Sequence, residues 1–580
     1  MTCVKKTLIV GGSAGGATAA ARLRRLSENM EIILLERGEF ISFANCGLPY
    51  FIGGEIAESS KLTLQTPKAF HARYNVDIRV RHEAAAIDVA AKTATVKNHQ
   101  TGETYTETYD ALILSPGAEP IRPDGFDSEK IFTLRNIPDA FRIKKFLETQ
   151  NPKTALVVGG GSIGLEMAEN LHRAGLQVTI LEQSDHLLAP LDNDIACDVH
   201  RHIESKGVRL LLNTKIQAVA ENAGQIRATL KNGEISADMM ILSIGVTPES
   251  SPAKAAGLAV GECGGILVNE RMQTSDANIY AVGDAAETLD FATGRQMYIP
   301  LAGPANKQAR IAADNICGYD SRYAGAQRSA IVRIFDKTAA AGLNETVAKN
   351  AGWNYEKMFL WLPSHAEYYP GAANMSIKIV FEKTTGKILG AQIVGGEGVD
   401  KRCDVLALAL RAGMTAYDLT QLEFCYAPPY SSAKDPVNMA GFAIENVLTG
   451  KVKLFHWHDV ESLRQTAKQP DAKILLLDVR TRREYENGHI GGFVNIPLDE
   501  LRERLNELDR DKKIYTTCQV GRRGYLACRI LSQNGFDVYN LSGGYRLYHL
   551  IFRAKEKQNV ASLENIQSAQ EQGVEIVKKL

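Results

Sequence analysis

The chain has 580 residues, which at about 150 residues per domain corresponds to roughly four domain-sized units. Hydrophobic residues make up 45% and charged residues 23%, as in ordinary globular proteins, and this excludes a disordered, collagenous or fibrous chain. Lys and Arg total 67, as do Asp and Glu. The zero net charge therefore gives no electrostatic reason to expect a nucleic acid or an anionic membrane as the main partner.

The nine cysteines are scattered, and no two of them form a CxxC pair. An odd number of scattered cysteines is typical of reduced intracellular thiols and of neither a disulfide framework nor a zinc site. No apolar run approaches the roughly 18 residues that a membrane span needs, and no signal-peptide cleavage site follows the first strand. We therefore expect a cytoplasmic protein with no membrane partner and no metal.

The N-terminal segment has the pattern strand, glycine turn, helix. Lys6 to Val10 is a short apolar run, Gly11-Gly12-Ser13-Ala14-Gly15-Gly16 follows, and Ala17 to Leu26 has helical spacing. Glycine suits this turn because a pyrophosphate must approach the backbone closely and contact the free N–H groups of the helix start. A second strand, Glu31 to Glu36, ends in an acid where a ribose-binding carboxylate is expected. Ser13 departs from the pattern, since it stands at the middle glycine position.

The same pattern recurs later in the chain. Thr154 to Val158 predicts a strand, Gly159-Gly160-Gly161-Ser162-Ile163-Gly164 has all three glycines, and Leu165 to Ala174 predicts a helix. The next strand, Gln177 to Leu181, is followed by Glu182. Two dinucleotide fingerprints roughly 150 residues apart predict two nucleotide-binding domains in series, and two dinucleotides indicate an electron relay.

A third element indicates which dinucleotide binds where. Asn278 to Asp284 is a buried-strand pattern that ends in aspartate, and it resembles the second flavin signature of the two-dinucleotide disulfide reductase superfamily. The resemblance also covers Ser115 to Ala118 and Ser243 to Pro248, the two crossovers between the nucleotide domains. It implies FAD on the first fingerprint, with the aspartate on the ribityl chain, and a nicotinamide cofactor on the second.

The resemblance also implies individual binding residues. FAD contacts are expected from Gly11, Ala14, Gly15, Glu36, Arg37, Asn45, Ser115, Gly117, Asp284, Pro300 and Ala302, and nicotinamide cofactor contacts from Gly159, Gly161, Ile163, Gly164, Glu182 and Gly245. Glu182 would repel a 2′-phosphate, and Gln183, Ser184 and Asp185 supply no arginine to offset it. NADH is therefore expected in preference to NADPH.

One cysteine follows the FAD ribose acid. Disulfide-reducing members of the superfamily carry a C-x4-C pair here, but Ile41 stands at the first position and only Cys46 at the second. The sequence S-F-A-N-C-G-L-P-Y around Cys46 is similar to the active-site turn of coenzyme A (CoA) disulfide reductases, NADH-dependent persulfide reductases, and their NADH oxidase and peroxidase relatives. The resting partner of the thiol would then be CoA in a mixed disulfide, or oxygen in a sulfenic acid. An inert packing cysteine is the alternative.

Several polar residues favour CoA, whose 3′-phosphate and pyrophosphate suit the arginine fork. By resemblance to the CoA reductases, Arg22 and Arg25 on the first helix are expected to bind it, and Asn45 lies beside the thiol. The complete predicted CoA set is Arg22, Arg25, Ser42, Arg73, Asn306 and Arg310. For each arginine alone, a solvated helix face is the alternative reading.

Residues 330–450 resemble the dimerisation domain of the same family. Ser376 to Phe381 and Ile388 to Val394 predict strands, and Val399 to Ala412 and Pro436 to Thr449 predict helices. This resemblance implies a homodimer.

Two tyrosine-containing segments lie in this region. In the CoA reductases, tyrosines matching Tyr368, or its neighbour Tyr369, and Tyr426 reach the active-site sulfur from the partner subunit. A phenol can donate a proton to a departing thiolate, so the resemblance implies an active site shared across the homodimer. Buried interface tyrosines are the alternative.

Beyond Lys451 the strand and helix pattern restarts with Ile474 to Val479. The motifs that follow resemble the structural signatures of rhodanese domains, small α/β sulfurtransferases: Asp478-Val479-Arg480, Glu484-Tyr485, Gly488-His489-Ile490 and Asn495-Ile496-Pro497.

The decisive rhodanese feature is a cysteine loop. Ile514 to Thr517 predicts a strand, Cys518-Gln519-Val520-Gly521-Arg522-Arg523 follows, and Gly524 to Gln533 predicts a helix. Backbone N–H groups at such a loop lower the pKa of a thiol and can stabilise a persulfide. Related phosphatases use a loop one residue longer, so a sulfurtransferase is favoured. Cys528, inside the helix, is predicted to pack and not to react.

The sequence thus predicts an α/β protein with two Rossmann-like dinucleotide-binding domains, an α+β dimerisation domain and a C-terminal α/β rhodanese domain. The expected boundaries are 1–150 and 271–329 for the two segments of the FAD domain, 151–270 for the NADH domain, 330–450 for dimerisation, 451–555 for rhodanese and 556–580 for a tail without assigned function.

The predicted activity is NADH- and FAD-dependent reduction of a small substrate, CoA persulfide, polysulfide or CoA disulfide, through Cys46. Cys518 would supply sulfane sulfur. Two alternatives remain open: an NADH oxidase or peroxidase that uses a Cys46 sulfenic acid, and a sulfur-carrier module that delivers persulfide from Cys518 to a partner.

Overall fold

The computed structural model describes residues 4–553, so the predicted tail at 556–580 lies outside the described residues. The described chain divides into two compact units. The first contains residues up to 181 together with 217–228 and 235–328, and the second contains 182–216, 229–234 and the residues from 329 onward.

The first 150 residues contain nine strands and four helices within the described range. The strands are β1 Lys6–Val10, β2 Glu31–Glu36, β3 Asp77–Val80, β4 His82–Asp88, β5 Thr93–Asn98, β6 Thr104–Thr108, β7 Ala111–Leu114, β8 Ala118–Pro120 and β9 Ile131–Phe132, and the helices are α1 Ala14–Leu26, α2 Leu48–Ile52, α3 Pro67–Tyr74 and α4 Ile137–Gln150.

The next region extends to residue 316. Its strands are β10 Thr154–Val158, β11 Gln177–Leu181, β12 Arg209–Leu211, β13 Ile216–Asn222, β14 Gln225–Leu230, β15 Gly233–Ala237, β16 Met239–Leu242, β17 Val246–Pro248, β18 Ile266–Leu267, β19 Ile279–Ala281, β20 Ala286–Leu289 and β21 Gln296–Tyr298, and its helices are α5 Ser162–Arg173, α6 Asn193–Ser205, α7 Ser251–Ala255 and α8 Ala302–Ile316.

Two parallel sheets form the core of the first unit. The first sheet has the order β19-β7-β1-β2-β3, and every pair in it is parallel. In the second sheet, β10 lies between β11 and β16, and β9 pairs with β16, again in parallel. Their apolar strands are buried, as parallel strands with both faces covered require. In each sheet a glycine turn joins the central strand to a helix.

An antiparallel sheet follows, in the second unit. Its order is β22-β23-β26-β25-β24. Alternate residues of β25 and β26 pack on α10 and α12 in one apolar cluster. The strands are β22 Ala330–Ile334, β23 Asp336–Gly342, β24 Tyr355–Pro363, β25 Asn374–Glu382 and β26 Ile388–Gly395, and the helices are α9 Glu345–Asn350, α10 Val399–Ala412, α11 Ala416–Gln421 and α12 Pro436–Leu448.

The last region is a small parallel sheet of order β27-β31-β30-β28-β29. It contacts the antiparallel sheet, since the Phe359 N–H of β24 donates to Ser542 Oγ at 3.2 Å. The strands are β27 Lys453–Phe455, β28 Ile474–Asp478, β29 Val494–Asn495, β30 Lys513–Thr517 and β31 Val538–Leu541, and the helices are α13 Val460–Ala467, α14 Arg482–Glu486 and α15 Arg522–Gln533.

The architecture confirms the predicted fold class: two parallel dinucleotide-type sheets, an antiparallel α+β region and a C-terminal α/β region. Among residues 4–553, no helix is both long and apolar enough to cross a bilayer.

Candidate active site

The first glycine turn is set by contacts within the chain. Gly11 has a φ of +92°, and a Cβ there would lie 2.1 Å from the Ser115 carbonyl oxygen. A Cβ on Gly16 would lie 1.8 Å from the Gly11 carbonyl oxygen. Ser115 Oγ donates to the Val10 oxygen at 2.8 Å, which fixes β1 to the residue after β7. Glycine is therefore required here by the close approach of backbone to backbone.

The second turn repeats this construction. A Cβ on Gly159 would lie 2.3 Å from the Ser243 oxygen, and one on Gly164 would lie 2.1 Å from the Gly159 oxygen. Ser243 Oγ donates to the Val158 oxygen at 2.9 Å, as Ser115 does in the first turn. In contrast, a Cβ on Gly161 would meet no heavy atom within 4 Å. The space before Gly161 is therefore open, and its backbone can be approached by a phosphate.

Acidic residues lie at the carboxyl edge of the first sheet. Glu36, the last residue of β2, accepts the Gly12 N–H at 2.8 Å and the Gly38 N–H at 2.6 Å. Asp284, just beyond β19, is paired with Arg135 at 3.1 Å. Because β1, β2, β7 and β19 are parallel and adjacent, the predicted ribose and ribityl acids and the glycine turn meet at one edge, as ligand sites in such sheets do.

The other predicted FAD residues lie in three places. Ala14 and Gly15 begin α1, and Pro300 and Ala302 lie at the start of α8. The remaining members lie in connecting segments: Asn45 beside the thiol, Gly117 after β7, and Arg37, which forms an ion pair with Glu119 at 2.5 Å.

The predicted NADH residues are divided between the two units. Ile163 and Gly164 lie in the first turn of α5, and Gly245 has a φ of +115° after β16. Glu182 belongs to the second unit, where its Oε1 accepts the Ser184 N–H at 2.8 Å.

Cys46 is exposed and lies in a short 3-10 turn directly before α2. Ile41, at the position of the first cysteine in C-x4-C enzymes, is fully buried against the glycine turn at Gly12. Desolvation raises the pKa of the Cys46 thiol, and the carboxylates of Glu166 and Asp284 raise it further. The charges of this chain therefore do not by themselves favour the thiolate.

Glu166 is a residue that the sequence analysis missed. It lies on α5, and Tyr50 Oη donates to it at 3.1 Å. The pair thus connects the helix of the second glycine turn to α2, the helix that follows Cys46. It lies three residues after Ile163, a predicted NADH residue, and no sequence pattern links it to Cys46.

The predicted CoA residues lie mainly on α1 and α8. Thr18 on α1 donates to Asn306 on α8 at 2.6 Å, and Arg22 is paired with Asp314 at 2.7 Å. Arg22 therefore already has a carboxylate partner within the chain. The exposed members are Arg25, Arg73, Asn306 and Arg310, and Ser42 is partly exposed with a φ of 45°.

The two predicted tyrosines contact each other. Tyr368 Oη and Tyr426 Oη are 3.3 Å apart, with 77% and 49% of the side chains exposed. The hydrogen bond with Tyr426 raises the pKa of Tyr368. Tyr369 instead packs edge-on against His365.

A buried arginine holds the two tyrosine loops together. Arg402 on α10 is 1% exposed, and its Nη2 donates to the Ser364 oxygen at 2.8 Å, to Ser431 Oγ at 3.1 Å and to Asp435 at 2.8 Å. Ser364 begins the Tyr368 loop and Ser431 ends the Tyr426 loop. One guanidinium therefore fixes both loops.

Cys518 is completely buried at the start of its loop. The Gly521 N–H donates to its sulfur at 3.2 Å, and the Tyr545 N–H donates to its carbonyl oxygen at 2.7 Å. The positive charge of the loop arginines is partly neutralised, because Arg523 forms a two-point ion pair with Glu484 at 2.7 and 2.6 Å. Arg522 is exposed, so its guanidinium is accessible to an anion.

Cys528 on α15 is buried, and its sulfur is 3.4 Å from Thr516 Oγ1. Burial raises the pKa of this thiol to about 12. It is therefore a packing residue, as predicted.

Three carboxylates of the second unit converge on a buried ammonium. Lys378 Nζ is 2.9 Å from Asp192, 2.7 Å from Asp194 and 2.5 Å from Glu345. The carboxylate oxygens lie within 4.8 Å of one another. Burial opposes the charge of Glu345, but Lys378 and Lys357 hold the pKa of Glu345 at about 2. Lysine thus provides the positive charge at the centre of this cluster.

Two parallel dinucleotide-type folds with an exposed thiol in the first, followed by a cysteine loop on a separate α/β sheet, are the architecture of a dinucleotide-dependent oxidoreductase with an added α/β domain. Residues 5–309 match the family described as pyridine nucleotide-disulphide oxidoreductase, residues 334–436 match the dimerisation domain of that family, and residues 459–550 match the rhodanese-like domain. The chain belongs to the pyridine nucleotide-disulphide oxidoreductase family and is an oxidoreductase with an added rhodanese domain.

Relatives support this assignment along most of the chain. The coenzyme A disulfide reductase of Staphylococcus haemolyticus is 37% identical over 441 residues, which cover 76% of this chain and 99% of the relative. The crystal structure of reduced Bacillus anthracis CoADR-RHD is 50% identical with a TM-score of 0.92, covering 95% of this chain and 98% of that one. A NAD-dependent persulfide reductase from A. fulgidus is 36% identical with a TM-score of 0.86, covering 94% and 100%.

Proposed function

We propose that the protein is a FAD-dependent NADH oxidoreductase that reduces CoA persulfide, polysulfide or CoA disulfide through Cys46, with sulfane sulfur supplied by Cys518. The observation that carries the proposal is the exposed Cys46, with buried Ile41 at the position where a second thiol would lie. A lone redox thiol needs a sulfur partner from outside the chain. The names of the similar reductases support CoA species as that partner.

The glycine turns fit two dinucleotides. The turn that begins at Gly11 lies at one sheet edge with Glu36 and Asp284, an arrangement suited to FAD, and the open space before Gly161 suits the pyrophosphate of NADH. When bound, FAD supplies two-electron transfer between NADH and a sulfur. Glu182 favours a free ribose hydroxyl over a 2′-phosphate, which makes NADH the expected donor.

The reaction at Cys46 is a thiol exchange. The thiolate attacks the CoA-bound sulfur of CoA persulfide, forms a Cys46–S–S–CoA disulfide and expels hydrosulfide. Two electrons and one proton then return Cys46 to the thiolate and release CoA thiol. The sum is CoA persulfide, NADH and a proton giving CoA, hydrogen sulfide and NAD⁺.

The tyrosine pair provides the proton source. Its phenols are exposed, hydrogen-bonded to each other and carried by the dimerisation domain. We place Tyr368 and Tyr426 of one subunit at Cys46 of the other in a homodimer, where they protonate the departing hydrosulfide or CoA thiolate. Arg22, Arg25, Ser42, Arg73, Asn306 and Arg310 are the proposed CoA residues on the subunit that carries Cys46.

Cys518 acts as the sulfur supplier. The Gly521 N–H donates to its sulfur at 3.2 Å, and a loop with N–H groups directed at the sulfur stabilises a persulfide anion. CoA thiolate attacks the outer sulfur of the Cys518 persulfide, which forms CoA persulfide and returns Cys518 to the thiolate. Because Cys518 is buried, the attacking thiol must enter its loop.

Mass spectrometry of the purified, unreduced protein tests the role of Cys46. We expect the mass of CoA on the Cys46 peptide and its release by NADH. Cys46→Ser should abolish turnover of CoA persulfide, whereas the control Cys263→Ser, another exposed cysteine, should leave it unchanged. An oxygen adduct on Cys46 with no CoA, together with peroxide-dependent NADH consumption, would establish the NADH oxidase or peroxidase alternative instead.

Hybrid dimers test the shared active site. A mixture of Cys46→Ser and Tyr426→Phe subunits should regain about half of the activity per mixed dimer if thiol and phenol come from different subunits, because one site is then intact. Cys518→Ser should stop sulfane transfer to CoA and spare reduction of CoA disulfide. If Cys518→Ser stopped transfer only to another protein and left transfer to CoA intact, the sulfur-carrier alternative would hold.

A further inference from the structure

One cavity in the second unit lies outside the sites described so far. It has a volume of about 230 Å³ and lies between α6, the antiparallel sheet and the segment after β31. Its polar and aromatic lining residues are Asp198, Arg201, His202, Asp336, Trp361 and Arg546.

Arg546 is a half-buried cation that interacts electrostatically with two charged neighbours, Asp198 and Arg201. Its guanidinium carbon is 3.3 Å from the centre of the Trp361 ring, and its buried Nε has no hydrogen-bond partner. Within residues 4–553, the side chain forms no ion pair. Burial lowers the pKa of Arg546 to about 10; Asp198 opposes this shift and Arg201 adds to it. Buried donors without partners are rare, so each one indicates an additional ligand or water.

His202 provides a second such atom in the same cavity. Its Nε2 is buried without a partner. Burial lowers the pKa of His202, which favours the neutral imidazole, and a neutral imidazole can donate one hydrogen bond.

The two aspartates of the cavity already have partners. Asp198 pairs with Arg201 at 3.0 Å and also accepts a hydrogen bond from Ser376. Asp336 accepts the Lys337 N–H at 3.0 Å and lies close enough to His202 to influence its pKa. Arg546 Nε and His202 Nε2 therefore lack a hydrogen-bond acceptor, whereas the aspartates do not lack a donor.

The cavity lies beside the Cys518 loop. The Arg546 N–H donates to the Gln519 oxygen at 2.9 Å, next to the Cys518 carbonyl. A smaller apolar cavity of about 30 Å³ is lined by Val520 of the loop and shares Asp198 and Trp361 with the larger one. An occupant of the larger cavity would therefore lie close to the backbone that holds Cys518.

We propose that this cavity binds a small divalent oxyanion, with Arg546 and His202 as its donors and Trp361 as the support of the guanidinium. Arginine presents two parallel N–H groups to an oxyanion, and the cavity volume accommodates a four- or five-atom ion. We take thiosulfate as the physiological ligand, because its outer sulfur can pass to the Cys518 thiolate with release of sulfite; this choice rests on the proposed persulfide role of Cys518. The site itself rests only on the unpartnered donors.

Titration of thiosulfate and of sulfate, which has the same charge but no sulfane sulfur, tests the site in the full-length protein. Trp361 fluorescence reports occupancy, and Trp361→Phe assigns the signal. We expect saturable binding that Arg546→Gln weakens by about ten-fold or more, since it removes a charge-assisted bond. Cys518→Ser should bind both ions with unchanged affinity, and sodium chloride of equal ionic strength should give no signal.

Equal affinity in wild type and Arg546→Gln would overturn the proposal, and so would loss of binding in Cys518→Ser, which would place the ion in the Cys518 loop. His202→Ala is the second variant if Arg546→Gln does not fold. It should weaken binding by about three-fold or more while the far-UV circular dichroism is unchanged, and no change there would also refute the site. Because binding is measured without NADH or CoA, its outcome is independent of whether Cys46 reduces CoA species.

Discussion

Replacing Glu345 with glutamine should reveal how much stability the buried ion cluster provides. The folded-state pKa of Glu345 is about 2, against 4.5 for the free side chain. This difference of about 2.5 pKa units corresponds to about 3 kcal/mol of stability at pH 7. Because the folded pKa is depressed, the contribution is present above about pH 4.5 and falls to roughly 1.4 kcal/mol at pH 3.

Urea denaturation at pH 7, 5 and 3 measures this contribution as the difference between wild type and Glu345→Gln. We expect a difference of about 3 kcal/mol at pH 7 and 5 that is about halved at pH 3. The matched control is Glu397→Gln, since the Glu397 side chain is 78% exposed. Its effect should stay within about 0.5 kcal/mol at every pH.

A Glu345→Gln loss below about 1 kcal/mol at pH 7, or one that does not change between pH 7 and 3, would refute the reasoning. The first result would mean that the amide satisfies Lys378 as well as the carboxylate does. The second would mean that the loss comes from packing and not from charge.

Three further predictions concern the sites. Gly11→Ala should abolish stable flavin binding and lower the melting temperature, because its Cβ would lie 2.1 Å from the Ser115 oxygen; flavin absorbance of the purified variant measures this. Tyr426→Phe removes the hydrogen bond that raises the pKa of Tyr368, so the alkaline limb of the rate profile should move to lower pH; an unchanged limb would contradict the acid role. Arg523→Gln breaks the two-point pair with Glu484 and should slow thiosulfate:CoA sulfur transfer by about ten-fold while CoA disulfide reduction is retained; equal losses in both assays would contradict separate sites.

The local sequence pattern was sufficient to predict the bounds of several strands and one helix. The strands at Lys6–Val10, Glu31–Glu36 and Thr154–Val158 and the helix Val399–Ala412 have the predicted bounds. Apolar periodicity is strong in these segments because both sheets and the helix face a core.

The starts of three helices were predicted too late. α1, α5 and α15 begin two or three residues earlier than their apolar periodicity, since their first turns contain glycine, serine or arginine. The N–H groups of a first helical turn need no helical partner, so polar and glycine residues are tolerated there and conceal the boundary. The strand predicted over Asn278 to Asp284 spans only Ile279–Ala281, because Gly283–Ala285 form a 3-10 turn that carries the aspartate.

Contacts between distant residues could not be predicted. Arg135 is 149 residues from Asp284, and Lys378 is 184 residues from Asp194. No spacing rule connects such positions, because their meeting depends on how whole elements pack. The Tyr50–Glu166 pair behind Cys46 was missed for the same reason.

The buried Arg402, which holds the two tyrosine loops, has a consequence for how two subunits would associate. Because one buried guanidinium fixes the loops of both phenols within a single subunit, the order of the pair is established before two subunits meet. In the proposed homodimer, little additional conformational entropy would then be lost when the phenols meet Cys46 of the partner subunit, which is the advantage of preorganisation. In that homodimer the interface would only have to position an already ordered pair of phenols, so modest changes in how the subunits associate would shift both phenols together and preserve their mutual hydrogen bond.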